Sequence, residues 1–184
     1  MHVRRSTVKK AGLSSGRIQL YTGDGKGKTT AALGLALRAS GRGLRTYIGQ
    51  FMKGQAYGEL EALHDDPHIT IEQYGSPRCI HREEVTPAHI GEAHRGLERA
   101  REVMLSGDYD IIVLDEVNVA IWFGVLTTED VLAFLNQRPD DVEIVLTGRR
   151  APQALIDRAD LVTEMREVKH YYQQGLGARL GIER

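Results

Sequence analysis

A short segment rich in glycine and charge, residues 23–30, constrains the fold of this chain more than any other feature. It reads Gly-Asp-Gly-Lys-Gly-Lys-Thr-Thr and lies between a β-favouring run at 18–22 and a helix-favouring run at 31–39. Such a loop between a strand and a helix turns backbone N–H groups and the positive end of the helix toward a bound phosphate. The segment therefore predicts a P-loop nucleotide-binding protein.

The rest of the chain alternates between strand and helix patterns. Short apolar runs at 44–51, 68–74, 111–114, 143–147 and 161–168 predict further strands, and helical patterns at 59–64 and 87–106 lie between some of them. Parallel strands need crossover connections, so this alternation favours an α/β fold with a doubly wound, mostly parallel sheet flanked by helices. Residues 75–86 have neither period and are interpreted as a functional or mobile loop.

Length and composition favour one soluble domain. We expect residues 17–184 to form it, preceded by a flexible or lid-forming arm at 1–16 that could also be simply a disordered terminus. The 24 basic and 25 acidic residues leave no positive excess for nucleic acid, and no apolar stretch has the length of a membrane span. The single cysteine, Cys79, excludes an internal disulfide and fits a reducing, cytoplasmic location.

The glycine-rich segment also supplies the expected phosphate ligands. Lys28 adds a positive charge for the terminal phosphates, and the Thr29 hydroxyl is a magnesium ligand by type. The residues expected to hold the nucleotide here are Gly23, Asp24, Gly25, Lys26, Gly27, Lys28, Thr29 and Thr30. The strict pattern requires glycine at 22, where this chain has Thr22. The loop is one residue short, so phosphate hydrolysis is not assumed.

Polar residues follow two of the predicted strands. Asp115 and Glu116 come directly after the run at 111–114, where a carboxylate can hold magnesium, although either could instead cap the next helix. Arg149 follows the strand at 143–147 and could reach the nucleotide, while Arg38 lies at the far end of the first helix. Both arginines could also be surface ion-pair residues. The histidines form no ligand cluster, and no side chain has the surroundings of a covalent nucleophile.

Several motifs together resemble the P-loop corrinoid adenosyltransferases. They are Thr-Gly-Asp-Gly-Lys-Gly-Lys-Thr-Thr-Ala-Ala at 22–32, Gln-Phe-Met-Lys-Gly at 50–54, Val-Leu-Asp-Glu-Val at 113–117 and Leu-Thr-Gly-Arg at 146–149. The ending is similar too, with Val-Lys-His at 168–170, Gly at 175 and Gly-Ile-Glu at 181–183. One departure lies at 74–80, where a family member carries a Phe and a Trp that this chain lacks.

The resemblance implies transfer of the 5′-deoxyadenosyl group of ATP to Co(I) of a reduced corrinoid, with triphosphate leaving. It implies Lys28, Thr29 and Glu116 as the catalytic set, and Mg²⁺, with Mn²⁺ as an alternative, on Thr29 and Glu116. Asp115 would support them, and Arg38 and Arg149 would help to secure the nucleotide. A homodimer and a reductase or flavoprotein that supplies Co(I) are further expectations.

Two other functions stay open at this point. A small P-loop kinase or ATPase would move the γ-phosphoryl group, and product analysis would separate it from an adenosyltransferase. A non-catalytic ATP-responsive module would bind nucleotide without turnover when reduced corrinoid is supplied.

Overall fold

The computed structural model describes residues 12–183, and its centre is a six-stranded sheet whose paired strands all run parallel. The strand order is β3-β2-β4-β5-β1-β6, so β5 lies between β1 and β4. This confirms the predicted doubly wound α/β fold. The strands are β1 Ile18–Thr22, β2 Thr46–Phe51, β3 Ile69–Tyr74, β4 Ile111–Asp115, β5 Glu143–Thr147 and β6 Leu161–Glu164. The helices are α1 Lys28–Ser40, α2 Gly58–Leu63, α3 Pro87–Leu105, α4 Val117–Phe123, α5 Thr128–Leu135 and α6 Gln153–Arg158.

Apolar side chains cover both faces of this sheet. On one face, Ala32, Ala36 and Ala39 of α1 pack on strand residues such as Ile48 and Val113. On the other face, the apolar stripe of α3 packs with α4, α5 and α6 against the alternate strand residues. The small alanines let α1 approach the sheet closely, which fixes the helix start beside the loop at 23–27.

Three predicted elements differ from the structure by more than one residue at one end. The first helix begins at Lys28 rather than at 31, so the end of the glycine-rich segment is itself helical. The second strand begins at Thr46, because 41–45 form the turn after α1. The last strand ends at Glu164, and its four residues are exposed because β6 is an edge strand paired only with β1. Residues 75–86 include one 3₁₀ turn, Arg82–Glu84.

The N-terminal arm expected at 1–16 lies mostly outside the described residues, because 1–11 are not among them. Of the remainder, Leu13 packs against the α1 side of the core, and the Gly16 amide donates a 2.7 Å hydrogen bond to the Asp140 carbonyl. Within residues 12–183 no helix combines the length and apolar character needed to span a membrane.

Candidate functional site

Two adjoining hollows open at the carboxyl edge of the sheet, where predicted site residues follow strands β1, β4 and β5. The larger cleft has a volume of about 470 Å³ and lies at the N-terminus of α1. It is lined by Gly25, Lys26, Gly27, Lys28, Thr29, Thr30, Leu33, Lys53, Tyr57, Gly58, Glu59, Glu116, Arg149, His170, Gly181, Ile182 and Glu183. The fold thus brings most of the predicted nucleotide ligands to one place.

The loop at 23–27 requires glycine for steric reasons, in addition to the predicted binding of a phosphate. Gly23 and Gly27 adopt φ of 92° and 119°, which disfavour any side chain. A Cβ on Gly23 would lie 2.5 Å from the Met165 carbonyl oxygen, and one on Gly25 would lie 2.7 Å from it. The Gly25 amide already donates to that carbonyl at 2.6 Å. The segment after β6 therefore packs directly on this loop.

Thr22, the departure from the strict loop pattern, has a structural role. Its side chain is buried, and its Oγ1 accepts a hydrogen bond from the Ala151 amide at 3.3 Å. This bond joins the end of β1 to the segment that follows β5.

Lys28 lies at the first position of α1 with only 6% of its surface exposed. Its ammonium donates to the carbonyls of Gly23 and Gly25 at 2.7 and 2.6 Å, so it is folded back onto the loop. Burial lowers the pKa of Lys28, while the Glu116 charge opposes that shift. α1 has no acidic residue in its first turn, and no side chain caps it, so its positive end faces the cleft without compensation.

Asp115 is the centre of the polar network behind the cleft, and its side chain is 1% exposed. Its Oδ1 accepts from the hydroxyls of Thr29 and Thr147 at 2.9 and 2.7 Å. Its Oδ2 accepts from Lys53 Nζ at 2.7 Å and from Gln50 at 3.4 Å. The sequence interpretation gave Asp115 a supporting role, and these contacts agree with a carboxylate that positions Thr29.

Lys53 is a site residue that the sequence interpretation did not identify. Its Nζ also lies 3.4 Å from Thr29 Oγ1 and 4.0 Å from a Glu59 oxygen. Burial alone would lower the pKa of Lys53, but attraction to Asp115 and its hydrogen bond outweigh burial, so the pKa lies above its usual value. The sequence feature that could have identified Lys53 is its position two residues beyond strand β2, at the carboxyl edge of the sheet.

Glu116 is the N-cap residue of α4 and has a left-handed φ of 60°. Its amide donates to Thr147 Oγ1 at 2.9 Å, and the residue lines both hollows. Burial raises the pKa of Glu116, and the Asp115 charge adds to this, while Lys53, Lys28 and Arg149 oppose it. A cation bound beside Glu116 would favour the ionised carboxylate and so oppose this shift.

The two predicted arginines are in different places. Arg149 is exposed and lines both hollows, beside Glu116. Arg38 is exposed in the last turn of α1, ten residues after Lys28, or about 15 Å along the helix axis. It does not line the larger cleft. The nucleotide contact expected of Arg38 stays a prediction that this placement does not support.

The smaller pocket has a volume of about 370 Å³ and adjoins the larger cleft through Lys53, Glu116 and Arg149, which line both. Its remaining lining is Asp24, Met52, Cys79, Ile80, Val119, Trp122, Phe123 and Arg150. Asp24, expected among the nucleotide ligands, therefore faces this pocket instead of the larger cleft. The side chains from α4 and from the loop after β3 make this pocket the more apolar of the two.

The C-terminal segment closes one side of the larger cleft. Lys26 Nζ donates to a Glu183 carboxylate oxygen at 2.9 Å, to the Ile182 carbonyl at 3.0 Å and to the Tyr171 hydroxyl at 3.3 Å. Arg179 and Tyr171 also donate to the Glu183 carboxylate, and these hydrogen bonds together hold its pKa far below the usual range. The Lys26 ammonium is therefore engaged by the tail in this conformation.

A divalent cation fits the donors that the site offers. Mg²⁺ prefers oxygen ligands and keeps few protein ones beside substrate phosphates. Thr29 supplies a hydroxyl and Glu116 a carboxylate, and both residues line the larger cleft. Within residues 12–183 no group of three or more His, Cys, Asp or Glu side chains forms an all-protein metal site. The donor set suits a cation shared with a nucleotide, and does not suit a tightly held structural metal.

Comparison with known proteins agrees with this geometry. The model of the family described as ATP:corrinoid adenosyltransferase BtuR/CobO/CobP matches residues 14–184. The corrinoid adenosyltransferase CobA of Salmonella typhimurium is 35% identical over 181 residues, covering 96% of this chain and 89% of the relative. The corrinoid adenosyltransferase of Escherichia coli K12 is 32% identical over 169 residues, covering 91% and 85%.

A further relative is an uncharacterized protein of Nostoc, 37% identical over 183 residues. The match covers 91% of this chain but only 48% of that protein. The chain thus corresponds to about half of the Nostoc relative and to most of the two named transferases.

Proposed function

The chain belongs to the ATP:corrinoid adenosyltransferase family, and from this premise we propose that it transfers the 5′-deoxyadenosyl group of ATP to the cobalt of a reduced corrinoid. The observation that carries the proposal is the pair of adjoining hollows. One has a phosphate-type loop and an open helix N-terminus, the other is more apolar, and Lys53, Glu116 and Arg149 line both. Two chemically different substrates can therefore meet at these three residues.

The bond changes balance without a nucleophile from the protein. The Co(I) electron pair forms a bond to the 5′ carbon, the bond from that carbon to the triphosphate oxygen breaks, and triphosphate leaves with its electron pair. Cobalt is formally oxidised from +1 to +3. The tasks left to the protein are to position the two substrates and to stabilise the charge on the leaving triphosphate.

Lys28 is proposed to exchange its two carbonyl acceptors for phosphate oxygens, since these carbonyls lie within the loop that would hold the triphosphate. Thr29 and Glu116 are proposed to hold Mg²⁺, or Mn²⁺, which would neutralise phosphate charge. Asp115 holds Thr29 by a 2.9 Å bond, and Arg149 adds a positive charge at the junction of the hollows. The backbone N–H groups of 26–30 at the start of α1 complete the phosphate site.

The partners outside the chain follow from this chemistry. Each corrinoid has to be reduced to Co(I) before it is adenosylated, so a reductase or flavoprotein is a proposed partner. The homodimer implied by the family is also a proposal, and sedimentation of the purified chain would test it.

The test is the fate of the phosphates. The chain is incubated in the dark with ATP, magnesium and chemically reduced cobalamin, and the quenched reaction is analysed by phosphorus NMR. We expect one inorganic triphosphate for each light-sensitive cobalt–carbon bond detected by absorbance. ADP formed in step with turnover would instead support the kinase or ATPase reading, which the family does not favour.

A further inference from the structure

Strained backbone is concentrated around the smaller pocket. Among the described residues, Met52, Glu116 and Arg150 are the non-glycine residues with positive φ, at 59°, 60° and 58°. They follow β2, β4 and β5, which are neighbours in the sheet, and all three line this pocket. Left-handed backbone in residues with a Cβ persists where the surroundings impose it, and it clusters at ligand sites. The clustering marks the smaller pocket as a built site.

An exposed aromatic side chain forms one wall of that pocket. Trp122, in the last turn of α4, keeps 38% of its surface exposed. The Arg150 guanidinium lies 4.3 Å from the centre of its ring, and the Arg82 guanidinium lies 5.9 Å from it. Phe123 meets the ring edge-on, with centres 5.1 Å apart. These contacts hold the indole in one orientation although it contributes little to the core.

The left-handed backbone at Arg150 helps to place its side chain over the Trp122 ring. Gly148, with a φ of 129°, and Arg150 together turn the chain after β5 so that Arg149 lines both hollows while Arg150 lies over the Trp122 ring. An arginine in left-handed backbone at this position therefore connects the aromatic wall to the junction with the larger cleft. Both the Arg150 guanidinium and the Trp122 ring are exposed, so their contact is not needed to fill the core.

We propose that one face of the corrin ring packs against Trp122, which is flanked by Arg150 and Arg82. These residues therefore determine corrinoid affinity in this chain. The inference rests on the proposed function. A macrocycle with a flat apolar face and polar groups on its rim matches a wall of one indole ring flanked by two guanidinium groups. The position beside Lys53, Glu116 and Arg149 would bring that ring next to the nucleotide.

The experiment measures kinetic constants of full-length variants with ATP and chemically reduced cobalamin. We expect Trp122→Ala to raise KM for the corrinoid roughly tenfold, because it removes the contact with the ring face. KM for ATP should change less than about twofold, and Trp122→Phe should recover most of the loss. Leu105→Ala is the matched control, since Leu105 is an exposed apolar residue at the end of α3 that lines neither hollow.

Arg150→Gly is the second variant, and it distinguishes a loss of corrinoid contact from a loss caused by misfolding. Glycine relieves the left-handed strain, so its melting temperature should not fall, while KM for the corrinoid should rise. If the wild type forms the cobalt–carbon bond and Trp122→Ala and Arg150→Gly keep the wild-type corrinoid KM, the inference is overturned and the proposed function stands. If the wild type forms no such bond, the proposed function itself fails.

Discussion

Replacing Lys53 by methionine tests whether the buried Lys53–Asp115 pair organises the site. The substitution keeps an unbranched side chain of similar length and removes the ammonium that lies 2.7 Å from Asp115 Oδ2. The two side chains are only 14% and 1% exposed, so solvent cannot replace the lost charge effectively.

The size of the expected loss in unfolding free energy depends on the hydrogen bonds that Asp115 keeps. Removing one partner of a buried ion pair typically costs about 3–5 kcal/mol of the free energy of unfolding. Asp115 keeps hydroxyl donors from Thr29 and Thr147 and a long bond from Gln50, so we expect about 3 kcal/mol. A domain of this size has roughly 5–15 kcal/mol in total, so the variant should still fold.

The assay is urea unfolding at pH 7, followed by circular dichroism, on Lys53→Met, Asp115→Asn and the double variant. Because the two groups compensate each other, the double variant should lose less than the sum of the single losses, with a coupling of about 2 kcal/mol. Lys169→Met, at an exposed lysine, is the control and should change stability by less than about 0.5 kcal/mol.

Losses that add within about 0.5 kcal/mol would refute the reasoning, since they would show that the two side chains do not interact. ATP affinity offers an independent check by calorimetry. Lys53→Met leaves Asp115 and Glu116 with less positive charge beside them, so ATP should bind more weakly than to the wild type.

Two further predictions concern charged groups at the larger cleft. Because burial and Asp115 raise the pKa of Glu116, ionising it costs stability in the nucleotide-free protein, and Glu116→Gln should raise the melting temperature at pH 7. That gain should shrink as pH falls toward 4, because the carboxyl then becomes largely protonated in folded and unfolded chains alike. A gain that is constant across scans from pH 4 to 8 would contradict this origin. Glu183→Gln frees Lys26 from a carboxylate, so ATP should bind roughly two- to fivefold more tightly at low salt, the range for an exposed ion pair. Weaker binding measured by calorimetry would mean instead that the tail contact orders the cleft.

The sequence determined the parts of this protein whose cause is local. Strand β5 was predicted with its observed limits, because a continuous apolar run is bounded by polar residues at both ends. The loop at 23–27 and the presence of a helix after it were also predictable, since glycine spacing and helix propensity act over a few residues, although α1 begins three residues earlier than predicted. The placement of Lys28, Thr29 and Glu116 in one cleft was predictable because they follow strands whose carboxyl ends share one edge.

Only the tertiary structure decided which distant residues meet. Nothing in the run at 161–168 shows that β6 lies at the edge of the sheet, because exposure depends on strand order and not on the residues of the strand. The pairing of Lys53 with Asp115 joins residues 62 positions apart, through the adjacency of β2 and β4. Trp122 likewise meets Arg150 and Arg82 because α4 lies between the loops that follow β5 and β3. Sequence patterns record the surroundings of each residue along the chain, whereas these contacts depend on the order in which the strands assemble.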